Sequence, residues 1–382
     1  MTYKLSDICD FVKGKVPVAT LTKHNYISTE NMLPNRGGIV EAATLPTTDG
    51  TQSYSVGDIL VSNIRPYFKK IWFATQDGGC SNDVLVFRAK KDTNPIYLYY
   101  VLADDRFFNY ATATSKGTKM PRGDKVAIMN YEITEFSKEE QDRIASLLHP
   151  IDKKIALNNQ INNNLLEQVM AIYRNRFVDT TNDMRRNCRA DEYFSISIGK
   201  TPPRKEPQWF TEEQGNVTWV SISDMGDCGT FISDSSEYLT AEAVQNFNVQ
   251  IVPDHTVLLS FKLTVGRVAI TVGEMTTNEA IAHFKTSHQD ITEYLYCYLK
   301  AFNYQSLGST SSIATAVNSK IIKAMPFIVP TDDEITDFHG VAAPIFEKIK
   351  ANQSENLALV SLREALLPRL MSGELDVSEI VI

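Results

Sequence analysis

Residues 150–177 read PIDKKIALNNQINNNLLEQVMAIYRNRF, and this stretch organises the rest of the chain. Apolar residues and two asparagines recur in it in alternating steps of four and three, which places them on one stripe of a helix. They are Ile151, Ile155, Asn158, Asn162, Leu165, Val169 and Ile172. The sequence therefore predicts a long amphipathic helix whose seam contains two polar positions.

The same pattern returns near the end of the chain, where residues 344–370 read PIFEKIKANQSENLALVSLREALLPRL. Proline, isoleucine, lysine and both asparagines recur at a constant offset of 194 positions. Asparagine in a helical seam lowers stability but fixes register and partner. We therefore predict that the two helices pack on each other. Their contacts join Ile151, Ile155, Asn158, Asn162 and Leu165 to Ile345, Ile349, Asn352, Asn356 and Leu359. The alternative is two similar helices that pack separately on their own domains.

The regions that precede the two helices also resemble each other. GKVP at 14–17 matches GKTP at 199–202, and YIS at 26–28 matches WVS at 219–221. YLY occurs at both 97–99 and 294–296. Offsets between such pairs vary, as loops of different length would produce. An internal repeat of this size indicates a duplicated architecture, in the order module, helix, module, helix.

Each module has a mixed composition of short strands and a short helix. Runs rich in β-branched and aromatic residues, bounded by Gly, Asp and Asn, predict strands. They lie at 59–62, 71–74 and 84–88, and again at 256–260, 267–272 and 281–285. Short helices are predicted at 95–109 and 291–306, and a polar linker at 178–189. The fold class is α+β, with modules at 1–140 and 183–332 and helical segments at 141–182 and 333–382.

Bulk composition is that of an ordinary globular protein, because 43% of the 382 residues are hydrophobic and 22% are charged. We predict a cytoplasmic protein. No basic segment followed by an apolar run is visible at the start, and no run approaches the roughly 20 apolar residues of a membrane helix. The five cysteines are odd in number and widely spaced, which fits a reducing compartment.

Motifs for catalysis or cofactor binding are not recognisable. Gly199-Lys200-Thr201 resembles the end of a phosphate-binding loop, but that loop needs a glycine at position 194, where Phe194 stands. The six histidines lack metal-ligand spacing, so we predict no metal site. No Gly-x-Ser-x-Gly elbow, dinucleotide loop or methyl-donor loop occurs, so no cofactor is predicted.

Basic residues interleaved with aromatic or small ones are the candidate DNA contacts. Small residues allow the backbone to approach a phosphate, and Lys or Arg supplies the charge. The candidates in the first module are Arg65, Lys69, Lys70, Lys116, Lys119, Arg122 and Lys125. Those in the second are Lys200, Arg204, Lys205, Lys262, Arg267, Ser309, Thr310, Ser311 and Ser312. The alternative for any one of them is an ordinary solvated loop. Net charge is −8, so a local basic face would have to carry the binding.

This arrangement resembles the specificity subunit of Type I restriction-modification enzymes across essentially the whole chain. The resemblance is carried by YKLSDI at 3–8 and GKTPP at 199–203, together with the duplicated helix. It is carried also by Ile151-Asp152-x-Lys154-Ile155 and by LREALLPRLMSGE at 362–374. Pro150 and Pro344 depart from the pattern, because proline interrupts the helical ladder. We therefore expect residues 137–149 to form a kinked or separate turn.

The resemblance implies a non-catalytic reader of double-stranded DNA with two target-recognition domains. Each domain reads one half of a split, asymmetric site, and the antiparallel coiled coil spaces them and docks two methyltransferase subunits. Motor-nuclease subunits complete the restriction complex, and the methyl donor and ATP belong to those partners. Alternatives are a single-chain DNA methyltransferase or nuclease with unrecognised motifs, and a scaffold that uses the coiled coil only for assembly.

Overall fold

The computed structural model describes residues 2–307 and 317–379. The chain divides into two compact units, and the division falls inside both long helices. Unit 1 is Met1–Ile155 with Leu357–Ile382, and unit 2 is Ala156–Asn356. The boundaries expected from the sequence, at 140, 182 and 332, stay a prediction.

Unit 1 begins with short strands and ends in helices. Its strands are β1 (Thr2–Lys4), β2 (Cys9–Phe11), β3 (Lys15–Pro17), β4 (Tyr26–Ile27), β5 (Gly50–Tyr54), β6 (Ile59–Ser62), β7 (Ile71–Phe73), β8 (Gly78–Cys80), β9 (Val84–Ala89) and β10 (Glu132–Thr134). Its helices are α1 (Leu5–Ile8), α2 (Pro95–Ala103), α3 (Asp105–Ala113), α4 (Lys125–Met129) and the first part of α5 (Lys138–Tyr173).

Two four-stranded sheets form the body of unit 1. Their strand orders are β2-β9-β6-β7 and β3-β5-β8-β4, and β1 pairs separately with β10. In the first sheet β6 lies antiparallel to both neighbours, with Ile59 opposite Phe73 on one side and Phe87 on the other. All four residues of β6 are buried, as a central strand between two layers requires. The core joins this sheet to α2, α3 and the start of α5.

Unit 2 repeats this plan. Its strands are β11 (Arg186–Arg189), β12 (Ser195–Ile198), β13 (Phe210–Thr211), β14 (Val217–Val220), β15 (Phe231–Ile232), β16 (Tyr238–Leu239), β17 (Val257–Ser260), β18 (Val268–Thr271), β19 (Thr276–Thr277), β20 (Ile281–Lys285) and β21 (Pro326–Val329). Its helices are α6 (Ala190–Tyr193), α7 (Asp224–Asp227), α8 (Ala241–Asn246), α9 (Thr292–Ala301), α10 (Ser319–Lys323) and the first part of α11 (Asp332–Ser372).

The main sheet of unit 2 repeats the strand order of the first sheet of unit 1 and adds one strand, which confirms the duplication. The main sheet has the order β12-β20-β17-β18-β15, so β17 and β18 stand where β6 and β7 stand in unit 1. The parallel pair β4 and β8 corresponds to β14 and β19. The pair β1 and β10 corresponds to β11 and β21. The predicted α+β fold with two mixed modules is therefore confirmed.

The long helices run through their prolines, so the expectation of a separate turn at 137–149 is wrong, whereas a kink there stays a prediction. α5 spans 36 residues and includes Pro150. An interior proline costs roughly 3 kcal/mol. Ile144, Leu148 and Ile151 flank Pro150 and are buried in the core of unit 1. Burial stabilises by about 1.5–3 kcal/mol for each such side chain, which outweighs the proline.

The helix expected at 95–109 is instead two helices that meet at Asp104. This residue is extended, with φ −65° and ψ 139°, and its carboxylate accepts a hydrogen bond from Arg106 N–H. Asp104 is therefore the N-cap of α3, where a short acceptor satisfies a free backbone donor. In unit 2, α9 ends at Ala301, earlier than the predicted 306.

Candidate nucleic-acid interface

In unit 1 the two basic clusters of the sequence come together, although they lie about 50 positions apart. The loop between β6 and β7 contacts the loop that precedes α4. Ile64 forms an isolated bridge with Arg122, and Arg65 N–H donates to Pro121 O at 2.8 Å. Gly123 N–H donates to Asn63 O at 3.1 Å. Backbone hydrogen bonds thus hold both clusters on one surface of unit 1.

The β6–β7 loop presents aromatic side chains beside its basic ones. Residues Pro66–Phe68 form a short 3-10 turn, and left-handed residues stand on either side of it. These are Arg65 with φ 50° and Lys69 with φ 51°. Tyr67 and Phe68 are 46% and 38% exposed, and their rings pack at 4.8 Å.

Several basic candidates of the β6–β7 loop also make internal contacts. Lys69 Nζ lies 2.9 Å from Asp105 Oδ1, and Lys70 Nζ donates to Thr29 O at 2.6 Å. Partial burial lowers the pKa of Lys70 below its ordinary value. Arg65 Nε is buried and has no hydrogen-bond partner in the described part of the chain. These side chains support the loop at least as much as they expose charge.

In unit 1 the loop that precedes α4 carries the more exposed basic side chains. Lys116 pairs with Asp124, and Arg122 Nη2 lies 3.0 Å from Asp83 Oδ1, yet both basic side chains are more than half exposed. The hydrogen bond from Lys116 is the main cause that lowers the pKa of Asp124. Lys119 and Lys125 are exposed as well.

In unit 2 the candidates divide into supporting and exposed residues. Arg204 donates two hydrogen bonds of 2.8 Å to Glu237, and its guanidinium lies 4.1 Å from the Phe210 ring centroid. Lys200 Nζ donates to Phe247 O at 2.5 Å. Arg267 donates to Ile222 O. These three side chains hold their loops in place.

Lys205 and Lys262 are exposed, and they are the open cationic candidates of unit 2. The predicted residues Ser309, Thr310, Ser311 and Ser312 lie outside the described residues. The glycine before Lys200 has a structural explanation, since a Cβ at Gly199 would lie 2.1 Å from Asn278 O. At Gly14 in unit 1 a Cβ would instead meet a side-chain atom, 2.1 Å from Ser53 Oγ. A close approach to backbone therefore explains the glycine of the Gly-Lys pair in unit 2.

The asparagines of the seam contact each other within unit 2. Asn158 Nδ2 donates to Asn356 Oδ1 at 2.9 Å and to Glu355 Oε2 at 2.8 Å. Asn352 Nδ2 donates to Asn162 Oδ1 at 2.8 Å. Asn158 and Asn352 are buried, so these amides satisfy each other where water is excluded. Shifting one helix along the other would break both pairs.

The remaining residues of the predicted seam are apolar and partly or fully buried. Leu165, Ile345 and Ile349 belong to the core of unit 2 or pack against it. In unit 1, Ile151 is buried, and Ile155 and Leu359 are half-buried. Both long helices, α5 and α11, therefore carry the buried stripe that the predicted coiled coil requires.

Sequence reasoning missed an ionic contact in the seam of unit 1. Arg363 Nη1 donates to Asp152 Oδ1 at 2.7 Å, and the Tyr100 hydroxyl donates to Oδ2 at 2.6 Å. Asp152 and Arg363 were each recognisable as part of a family motif. Opposite charges near the matched stripes of two antiparallel helices were the signal that could have paired them.

Other functional sites were sought in the described ranges. Within residues 2–307 and 317–379, no group of three or more His, Cys, Asp or Glu side chains could hold a metal ion. Buried His283 instead contacts two hydroxyls, at 2.9 Å from Ser197 Oγ and 2.7 Å from Thr277 Oγ1. In the same ranges no helix is both long and apolar enough to cross a bilayer.

One known family model matches both copies of the internal repeat. The model of the family described as Type I restriction modification DNA specificity domain matches residues 1–167 and 187–356. The chain is 22% identical to the specificity subunit of the Type I restriction enzyme HindI from Haemophilus influenzae, over 98% of this chain and 99% of that protein. It is 24% identical to the specificity subunit of the MjaIX enzyme from Methanocaldococcus jannaschii, over 74% of this chain and 70% of that protein.

Among solved structures, the S subunit of a Type I restriction-modification system from M. genitalium has the same fold. Its TM-score is 0.56 at 14% identity, and the alignment covers 97% of this chain and 96% of that one. The family model matches both modules and both helix starts, over far more than half of the chain. This protein therefore belongs to the family of Type I restriction modification DNA specificity domains.

Proposed function

We propose that this chain is the non-catalytic DNA-reading subunit of a Type I restriction-modification enzyme. Unit 1 reads one half of a split, asymmetric DNA site and unit 2 reads the other. One observation carries this proposal. The hairpin between the equivalent strands of the two main sheets, β6–β7 and β17–β18, has basic residues and no acidic ones in both units.

Charge complementarity supports duplex DNA as the ligand of both hairpins. The segments 62–70 and 260–267 contain only cationic ionisable residues, apart from the Tyr67 phenol, within a chain whose net charge is −8. Phosphate contacts give affinity and position, whereas base contacts give sequence specificity. Exposed Lys119, Lys125, Lys205 and Lys262 are the residues for phosphate contact, because solvent exposure allows their ammonium groups to reach a ligand.

Differences between the hairpins support two different half-sites. NIRPYFKK occupies residues 63–70 in unit 1, whereas FKLTVGR occupies 261–267 in unit 2. The strands on either side pair in the same order, so the scaffold is shared while the reading surface differs. A duplicated scaffold with unlike tips suits an asymmetric target.

The helix pair is the proposed docking site of two methyltransferase subunits, to which motor-nuclease subunits are added in the cytoplasm. In unit 1, Leu357 and Leu362 lie on α11 and are about half exposed, and in unit 2 Leu157 on α5 is about half exposed. Large apolar side chains that a helix leaves exposed are candidates for contact with a partner. The methyl donor and ATP would then bind to the partner subunits.

Sequence selection from a random duplex pool tests the proposal. The full chain, assembled with its methyltransferase subunits, should select a consensus of two short fixed blocks separated by a fixed number of unspecified base pairs. Methylation mapping should report the same two blocks. Selection of a single uninterrupted block, or of no sequence at all, would show that the two units do not read separate half-sites.

A further inference from the structure

The tip of the β17–β18 hairpin exposes a leucine in an unfavourable backbone conformation. Leu263 is 98% exposed, and its φ is +59°. The left-handed region is uncommon for residues other than Gly, Asn and Asp, and it is a true outlier for bulky side chains. No packing of the side chain compensates for this conformation within the described part of the chain.

Hydrogen bonds hold this tip in one shape. Thr264 N–H donates to Lys262 O at 2.6 Å, which closes a three-residue turn centred on Leu263. Ser260 Oγ donates to Thr264 O at 2.6 Å, and Gly266 N–H donates to Ser260 O at 3.0 Å. The leucine is thus presented by a preorganised loop, which reduces the entropy cost of binding a ligand.

The base of the hairpin is also fixed. The Arg267 guanidinium donates to Ile222 O and lies so close to Gly226 that a Cβ there would be 2.4 Å from Nη1. Gly266 faces the Tyr304 ring, since its Cβ would be 3.1 Å from a ring carbon. Strained, exposed residues on a well-supported loop are typical of ligand contacts.

The equivalent hairpin of unit 1 has the same design with different side chains. Tyr67 and Phe68 stand exposed at its tip, held between left-handed Arg65 and Lys69. Both tips therefore combine apolar side chains, non-glycine residues at positive φ and basic neighbours. A tip that served only to connect two strands would favour glycine or asparagine at such positions.

We propose that Leu263 is a specificity-determining residue that contacts the C5-methyl group of a thymine in the half-site read by unit 2. Thymine is the base that offers an apolar group in the major groove, and apolar side chains recognise it there. Exposed Lys262, the adjacent residue, would contact a backbone phosphate. This inference rests on the proposed function and assigns Leu263 to base contact within it.

The first test separates folding from reading. Leu263→Gly suits positive φ, and Leu263→Asn tolerates it while keeping a side chain of similar size. Because Leu263 makes no buried contact, both variants should keep the thermal midpoint within about 2 °C. Both should bind the duplex selected by the wild type at least roughly 4-fold more weakly, the effect expected for one methyl contact. Met184→Ala, which changes another apolar side chain that is 81% exposed, is the matched control and should change neither quantity.

The second test identifies the base. Deoxyuridine, which lacks the C5-methyl group, replaces each thymine of the selected duplex in turn. One replacement in the half-site of unit 2 should weaken wild-type binding about 4-fold and leave the binding of Leu263→Gly unchanged. Equal weakening in both proteins, or a variant that binds DNA normally but no longer holds a methyltransferase subunit, would overturn the assignment. Failure of the wild type to select any sequence would instead refute the proposed function itself.

Discussion

Arg363 and Asp152 form an ion pair in the seam of unit 1, with 2.7 Å between Nη1 and Oδ1. Their side chains are only 13% and 23% exposed. Under the 194-residue offset, the equivalent positions are Val169 and Phe346, both buried in the core of unit 2. One place in the repeat therefore holds a charged pair in one copy and an apolar pair in the other.

Removing one partner of this pair should destabilise the fold. Arg363→Ala leaves the Asp152 carboxylate with the Tyr100 hydroxyl as its remaining partner among the contacts described above. Breaking a buried pair in this way costs about 3 kcal/mol or more. Urea unfolding followed by circular dichroism should show the destabilisation as a lower midpoint with an unchanged slope.

The double variant Asp152→Asn, Arg363→Met is the control for that experiment. It removes both charges, keeps an amide oxygen that can accept the hydrogen bond of the Tyr100 hydroxyl, and keeps an apolar side chain in place of the Arg363 stem, so it should be more stable than Arg363→Ala. A double variant as unstable as the single one would mean that the ion pair itself stabilises the seam, and that the instability of Arg363→Ala is not explained by an unpaired Asp152 charge or by lost packing of the Arg363 stem.

His283 should make stability fall in mild acid. Burial lowers its pKa from the ordinary 6.5 to about 3. In the unfolded chain the His283 imidazole therefore binds a proton below about pH 6.5, whereas in the folded chain it does so only below about pH 3. The stability that neutral His283 contributes is complete above pH 6.5. It decreases as the pH falls from 6.5 to about 3, at up to about 1.4 kcal/mol per pH unit.

His283→Gln tests this pH dependence, because glutamine does not titrate and can still bond to the Ser197 and Thr277 hydroxyls. Its unfolding free energy should vary less between pH 6.5 and pH 4 than that of the wild type. Identical slopes in the wild type and His283→Gln would mean that His283 binds a proton equally well in the folded and the unfolded chain.

The exposed lysines of each unit should contribute to DNA binding at one half-site only. Lys119→Ala with Lys125→Ala should weaken protection of one half-site, and Lys205→Ala with Lys262→Ala should weaken the other. Removing one lysine–phosphate interaction should reduce the dependence of log affinity on log salt by roughly one unit. Footprinting at several salt concentrations measures both effects. Equal fading of both half-sites in each variant would contradict the division of labour.

The isolated chain should bind no methyl donor. We expect isothermal titration calorimetry with S-adenosylmethionine to give no stoichiometric heat, because the sequence lacks a loop of the type that binds it. Binding with one-to-one stoichiometry would favour a single-chain methyltransferase over a DNA-reading subunit.

The sequence predicted correctly those strands whose structure is determined by residues close to them in the chain. The strand at 59–62 and the strand at 281–285 have the predicted bounds, since short apolar runs bounded by polar residues are local signals. β11 lay inside the predicted linker, because it is paired with β21 about 140 positions later. The same limit applied to α5, where buried neighbours far along the chain carry the helix through Pro150.

The candidate site shows the same division between local and distant information. The sequence predicted basic residues in loops, and the structure brings the loop of Arg65 and the loop of Arg122 onto one surface. It could not show that Arg204 and Arg267 are bonded internally, because Glu237 and Ile222 are distant in sequence. The left-handed backbone of Leu263 had no sequence signal, since leucine rarely adopts it.

The amide pair of Asn162 and Asn352 should lower the stability of the fold relative to an apolar pair, but restrict the two helices to one register. Asn162→Leu alone leaves the buried Asn352 amide without its 2.8 Å partner, at a cost of about 1–3 kcal/mol. The double variant Asn162→Leu, Asn352→Leu places apolar side chains in both positions and should equal or exceed the wild type in stability. It should also remove a constraint on register, because leucine packs at several offsets whereas paired amides do not. Urea unfolding measures the first effect, and light scattering with amide NMR line widths measures the second. A double variant that is stable, monodisperse and as well resolved as the wild type would show that the Asn162–Asn352 pair is not needed to fix the register, which the Asn158–Asn356 pair and the apolar residues then determine.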